Sequence, residues 1–120
     1  MATIRIKRVY EPAVKPDGFR ILVDRLWPRG IKKEDAHVDV WLKEIAPSNE
    51  LRKWFNHDPE KWEAFHKRYL AELQLSPATE ELLEQAKKHA TVTLVYSAKD
   101  ELHNQAVVIK EFLETKLHRK

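Results

Sequence analysis

The chain has 120 residues, of which 42% are hydrophobic and four are tryptophan, so it carries enough apolar side chains for one core. This composition excludes a disordered polypeptide. Lysine and arginine exceed the acids by three, which is compatible with an anionic partner but too mild to favour strong nucleic-acid binding. The sequence has no cysteine, which excludes disulfides, thiolate nucleophiles and cysteine-based metal sites.

The first elements are predicted to be two short strands. Alternating apolar residues predict one strand over Thr3–Tyr10, and a short apolar run predicts another over Phe19–Val23. The connection, residues 11–18, contains two prolines and an Asp-Gly pair, and it is shorter than a helical crossover. We therefore expect the two strands to be antiparallel neighbours, or to be joined over a sheet edge without a helix.

The pattern after Gly30 becomes helical. A helix ending at Ala46-Pro47-Ser48 is predicted from apolar residues at helical spacing, namely Val38, Trp41, Leu42 and Ile45. Ser48 or Asn49 is suited to cap a second, short helix. Asp58-Pro59 and Ser76-Pro77 are start signals for two more helices. Helical spacing places one set of aromatic residues in the core rather than on a nucleic acid: Trp54, Phe55, Trp62, Phe65 and Tyr69.

A strand and a helix complete the predicted fold. Thr91–Ser97 is the clearest strand, and Asp100 is predicted to cap a helix that ends in the basic residues Lys116, His118, Arg119 and Lys120. The order of strands and helices predicts an α/β fold with a small, mostly parallel sheet covered by helices. We expect residues 1–120 to form a single domain.

No part of the sequence indicates a membrane protein. The N-terminal residues 1–7 lack the apolar run of a signal peptide. No apolar stretch approaches the ~20 residues that span a bilayer. The sequence therefore predicts a cytoplasmic protein without a membrane partner.

Two loops that follow predicted strands carry the residues of chemical interest. One loop is residues 24–30 and the other is residues 97–100, which lead into the last helix. Right-handed crossovers through helices favour parallel strands, and parallel strands place both loops at the carboxyl edge of the sheet. The sequence therefore predicts a crevice at this edge that binds an anion, either a phosphate or a carboxylate.

The residue types in these loops indicate their roles. Arginine forks bind phosphate or carboxylate with two bonds, and a lysine adds a mobile charge. The predicted ligand-binding residues are Arg25, Trp27, Arg29, Ser97 and Lys99. Asp24 is expected to orient Arg25, and Trp27 to cover the ligand. The candidate catalytic residues are Asp24 and His103, with His103 as the proton-transfer group of a modest hydrolase or transferase.

Several alternatives to this interpretation remain open. Asp24 and Arg25 would equally form a structural clamp that ties the loop to the sheet. Trp27 would equally be a lid over the core, and His103 would equally face solvent without a role in a site. In place of an enzyme or a binding protein, the chain suits a nucleic-acid or protein interaction module, as a monomer or a homodimer. The histidines lack metal-ligand spacing, and the two glycines form no phosphate-binding loop, so neither a metal nor another cofactor is expected.

Several motifs also resemble a known family. They are Arg8-Val9-Tyr10-Glu11-Pro12, Asp24-Arg25-Leu26-Trp27-Pro28-Arg29-Gly30, Trp41-Leu42-Lys43-Glu44-Ile45-Ala46-Pro47-Ser48, Trp54-Phe55-Asn56-His57-Asp58 and Ser97-Ala98-Lys99-Asp100. The chain resembles the YeaO-like branch of a bacterial family of unknown function over nearly its whole length. The resemblance implies a compact α/β domain in the cytoplasm. Some relatives carry a Cys-His-Arg run where this chain has His103-Asn104-Gln105, so no thiol-based or metal-based role is implied here.

Overall fold

The computed structural model describes residues 3–118, so Arg119 and Lys120 of the predicted basic C-terminus lie outside the described residues. The strands are β1 (Thr3–Arg8), β2 (Phe19–Leu22), β3 (Val40–Trp41) and β4 (Thr91–Tyr96). The α-helices are α1 (Lys33–Ala36), α2 (Asn49–Phe55), α3 (Trp62–Leu75), α4 (Ala78–Lys88) and α5 (Gln105–His118). Single turns of 3-10 helix cover Lys15–Asp17, Lys43–Ile45 and Pro59–Lys61.

The four strands form one sheet in the order β1-β4-β2-β3, and every pairing is parallel. Leu94 at the centre of β4 pairs with Ile6 of β1 on one side and with Ile21 of β2 on the other. The prediction of an α/β fold with a small, mostly parallel sheet covered by helices is confirmed. No helix within residues 3–118 is both long enough and apolar enough to cross a membrane.

The connection between β1 and β2 joins parallel strands that are not neighbours in the sheet. The antiparallel-neighbour prediction is wrong, because β4 lies between the two strands and runs parallel to both. The connection contains no α-helix, as the second alternative required. It crosses β4 by direct side-chain contact, since the Thr93 hydroxyl donates to the carbonyl of Asp17 at 2.6 Å. The connection can be shorter than a helical crossover because it lies directly on β4 and hydrogen-bonds to it, with no α-helix packed on the sheet.

The predicted helix over residues 38–45 is also wrong. The chain forms only the short α1, then pairs Val40 with Ile21 and Trp41 with Leu22 as an edge strand. The Trp41 indole N–H donates to the carbonyl of Asp24 at 2.7 Å and fixes this edge. Tertiary pairing with the open side of β2 has overridden a local pattern that suits a helix.

The helix start signals gave both confirmed and wrong predictions. Ser48 caps α2 by accepting from the N–H of Leu51 at 3.2 Å, and Asp58 accepts from Glu60 in the turn that opens α3. Asp100 is not the cap of the last helix, which was a wrong prediction. Helix α5 begins at Gln105, and the Asn104 side chain accepts from the N–H of Val107 at 3.2 Å.

Alternate residues of the sheet pack into two hydrophobic clusters on opposite faces. Ile21 and Val23 belong to the large cluster, which includes residues of α2, α3, α4 and α5. Leu22 belongs to a small cluster with Ala36 of α1. The chain therefore leaves β2 toward one face of the sheet and leaves β4 toward the other. Open parallel sheets form their ligand crevice where neighbouring connections diverge in this way.

Candidate functional site

A cleft of about 650 Å³ lies at the carboxyl ends of β2 and β4. Its size is in the range of small-molecule sites, which is roughly 300–1,000 Å³. All seven site residues predicted from the sequence line it: Asp24, Arg25, Trp27, Arg29, Ser97, Lys99 and His103. Their convergence follows from the parallel pairing of β2 with β4, which brings the two predicted loops together.

Sequence reasoning missed several residues of the cleft. Those with polar side chains are Tyr10, Arg52, His57, Asp100, Asn104 and Gln105. Arg52 and His57 reach the cleft from α2 and the turn after it, and that placement depends on how α2 packs on α3. The turn itself had a local signal, because Asn56 and His57 both adopt positive φ, which asparagine tolerates well. Gln105 had no sequence signal, because the start of α5 was predicted four residues too early, with Asp100 rather than Asn104 as its cap.

Asp24 lies at the floor of the cleft and is only 7% exposed. One carboxylate oxygen accepts from the Gln105 amide at 2.6 Å, and the other accepts from the backbone N–H of Ser97 at 3.0 Å. Burial raises the pKa of Asp24, against the opposing effect of the hydrogen bonds from Ser97 and Gln105. Asp24 therefore links the end of β4 to the start of α5.

Arg25 is held by carbonyl groups and not by Asp24. Its Nη2 donates to the carbonyls of Ala46 and Pro47, each at 3.2 Å, and the Glu44 carboxylate lies 4.0 Å from its Nη1. The prediction that Asp24 orients Arg25 is wrong. The Arg25 Nε is buried, and no acceptor among the described residues lies within hydrogen-bond distance of it.

Trp27 combines a structural contact with a place in the cleft wall. Its indole N–H donates to the carbonyl of Ile31 at 2.8 Å, and its ring meets Trp41 edge to face at 5.5 Å. The ring packs on the small hydrophobic cluster that contains Leu22 and Val95. Trp27 is thus a lid over this core, as the structural alternative proposed, and it lines the cleft as well.

Three cationic side chains of the cleft are exposed and lack an acidic partner. They are Arg29, Arg52 and Lys99. Throughout residues 3–118, no carboxylate lies within 4.0 Å of their charged groups. Residues 3–118 also contain no cluster of three histidine, aspartate or glutamate side chains that could hold a metal ion. The charges of this cleft suit an anion better than a cation.

His103 is half-buried and paired with Asp100. Its Nδ1 lies 2.9 Å from one oxygen of the Asp100 carboxylate, and its ring meets Trp62 edge to face at 5.3 Å. The other oxygen of Asp100 accepts from the N–H groups of Leu102 and His103. Hydrogen bonds from Leu102 and His103 lower the pKa of Asp100. Asp100 thus positions the imidazole ring instead of capping α5.

Comparison with known proteins agrees with the motifs quoted above. The profile of the inactive DUF488-N3 subclade matches residues 3–120. The chain belongs to this subclade. It is 48% identical over 112 residues to the uncharacterised Escherichia coli K12 protein YeaO, covering 93% of this chain and 97% of that protein. It is 42% identical over 110 residues to the uncharacterised proteins Mb3100c of Mycobacterium bovis and Rv3073c of Mycobacterium tuberculosis H37Rv, covering 92% of each chain.

Membership in the DUF488-N3 subclade confirms the resemblance to YeaO-like proteins. No solved structure has a significant match to this chain. The description of the subclade as inactive applies to the family as a whole, and it names no ligand.

Proposed function

We propose that this cytoplasmic protein binds a small anionic molecule, through a phosphate or carboxylate group, in the cleft between β2 and β4. The observation that carries the proposal is the convergence of Arg29, Arg52 and Lys99 on one cleft, where no carboxylate of residues 3–118 forms an ion pair with them. Like charges gathered in a concave, partly apolar site raise the local concentration of counter-ions. Guanidinium groups also match the geometry of phosphate and carboxylate.

Binding without turnover fits the cleft better than the hydrolase or transferase alternative. Both oxygens of Asp24 are held by hydrogen bonds from Ser97 and Gln105, so this carboxylate is not free to act as a base. His103 remains the proton-transfer candidate, because Asp100 holds only its Nδ1. The description of the subclade as inactive supports the same view.

The first test measures binding of inorganic phosphate, phenyl phosphate and benzoate by calorimetry. We expect at least one probe to bind, and the double variant Arg29→Ala, Lys99→Ala to weaken it at least about 30-fold. The reason is that hydrogen bonds to charged groups contribute roughly 1.5–3 kcal/mol each. The control is Lys67→Ala, Lys87→Ala, which removes the same charge from exposed positions outside the cleft and should leave affinity unchanged.

Equal losses in the two double variants would show a general charge effect and contradict the site assignment. The nucleic-acid alternative is tested by the fluorescence anisotropy of short RNA and DNA at 50 and 200 mM salt, conditions chosen because counterion release makes such binding fall steeply with salt. Strong, salt-dependent binding of an oligonucleotide, without binding of the small probes, would favour the interaction module instead.

A further inference from the structure

We infer that the ligand of this cleft carries a hydroxyl or N–H donor beside its anionic group, because Gln105 is fixed to accept a hydrogen bond from it. The inference rests on the proposed function and narrows its ligand class. It assigns Gln105 a role in specificity and Asp24 a role in positioning Gln105. It predicts that an anion without a donor, such as propyl phosphate, binds more weakly than an anion with a nearby donor.

The orientation of the Gln105 amide follows from its partner. The amide nitrogen of Gln105 donates to the Asp24 carboxylate oxygen at 2.6 Å. The carbonyl oxygen of the amide then points away from Asp24. Within residues 3–118, no donor lies within hydrogen-bond distance of that oxygen, and Gln105 lines the cleft.

Asp24 is itself held in place, so the amide cannot easily reverse. The second Asp24 oxygen accepts from the Ser97 N–H at 3.0 Å, and the backbone carbonyl of Asp24 accepts from Trp41 at 2.7 Å. Asp24 as a whole is 7% exposed. A residue fixed on this many sides pre-orients its neighbour before any ligand arrives, which is how binding sites gain specificity.

His103 lines the same cleft, and its Nδ1 lies 2.9 Å from Asp100, which leaves Nε2 as the ring nitrogen that a ligand can contact. The cleft thus combines cationic groups for an anion with the Gln105 carbonyl oxygen, which accepts from a donor. Phosphates or carboxylates that carry hydroxyl or amino groups match this combination, and alkyl phosphates match only half of it.

The test compares probes that differ in their donors. The pairs are glycerol 3-phosphate with propyl phosphate, and lactate with propionate, each measured by calorimetry. We expect the donor-bearing member of at least one pair to bind at least about 5-fold tighter. Gln105→Leu should bring that ratio close to one while the other member keeps its affinity, and the exposed control Gln74→Leu should leave the ratio unchanged.

Asp24→Asn separates positioning from a merely structural role. The asparagine amide can donate or accept, so it no longer fixes the Gln105 amide, and the ratio should fall. Both members should nevertheless bind tighter, because a negative charge leaves the cleft. Weaker binding of both probes at an unchanged ratio would overturn the positioning role.

Different results would overturn the inference about Gln105 and the proposal of anion binding. Equal binding within both pairs in the wild-type protein would overturn the inference about Gln105 and leave anion binding intact. Absence of binding by all four probes, together with inorganic phosphate, phenyl phosphate and benzoate, would overturn the proposed function and the inference with it.

Discussion

Replacing Asp17 by asparagine is expected to lower the free energy of unfolding by about 3 kcal/mol, because it leaves a buried arginine without its counter-ion. The Asp17 carboxylate lies 2.6 Å from the Arg20 guanidinium, and these side chains are 2% and 4% exposed. Lys7 lies 3.1 Å from the same carboxylate oxygen. Asparagine keeps an acceptor at this position but removes the charge.

Urea denaturation of the wild-type and Asp17→Asn proteins measures this loss. The matched control is Glu84→Gln, which makes the same chemical change at an exposed position of α4 and should alter stability by less than about 0.5 kcal/mol. A loss below about 1 kcal/mol for Asp17→Asn would show that the carbonyls bonded to Arg20, those of Ala36 and His37, suffice to hold it.

The stabilisation by Asp17 should also depend on pH. Burial by itself would raise the pKa of Asp17, but hydrogen bonds from the Val14 N–H, Lys7 and Arg20 outweigh it and lower the pKa below 3.8. The carboxylate therefore stabilises the fold above pH 3.8, and this contribution is lost as the pH falls through the lower value of the folded state.

Unfolding measurements from pH 6 to pH 2 check this dependence. We expect the difference in free energy between the wild-type and Asp17→Asn proteins to be constant near pH 6 and to shrink below pH 3.8. A difference that stays constant over the whole pH range would mean that packing and hydrogen bonds of Asp17, and not its charge, stabilise the fold.

The sequence predicted those elements whose signals are local. Strands β1, β2 and β4 have their own apolar patterns, and α2, α3 and α4 have capping side chains or prolines at their starts. Strand β3 could not be found in this way, because it has two residues and exists through its pairing with β2. The crossing over β4 depends on the contact of Thr93 with Asp17, residues that lie 76 positions apart.

The candidate site was predicted in its location but not in its internal contacts. Asp24 and Arg25 are adjacent opposite charges, which suggested an ion pair. Neighbouring residues of an extended chain point to opposite sides, so Asp24 turns to Ser97 and Gln105 while Arg25 turns to Ala46 and Pro47. Partners that come from distant parts of the chain leave no trace in the local sequence.

The role of Asp100 was also mispredicted, because the local sequence offers two possible caps for α5. An aspartate soon after a strand is a good helix cap, and so is an asparagine a few residues later. The structure uses Asn104 as the cap and leaves Asp100 to hold His103 through its Nδ1. The longer loop that results brings His103 to the cleft and puts Gln105 in the first position of α5, next to Asp24.

Gly18→Ala is expected to destabilise the protein by more than about 3 kcal/mol, because a side chain has no room at this crossing. Gly18 has φ 65° and ψ −133°, and a Cβ atom would lie 2.4 Å from the backbone carbonyl oxygen of Thr91. Relief requires β2 to move away from β4. The variant should therefore also weaken binding of anionic probes, since the cleft lies at the far ends of these two strands.

Gly30→Ala is the matched control, because it separates the cost of the backbone angle from the cost of the clash. Gly30 has φ 77°, but nothing lies within 4 Å of the Cβ that alanine would add. Its replacement should cost only about 1 kcal/mol, the penalty of a left-handed conformation. Urea denaturation of both variants compares the two. Equal losses would contradict the close approach of Gly18 to Thr91, and with it the crossing that sets β2 beside β4.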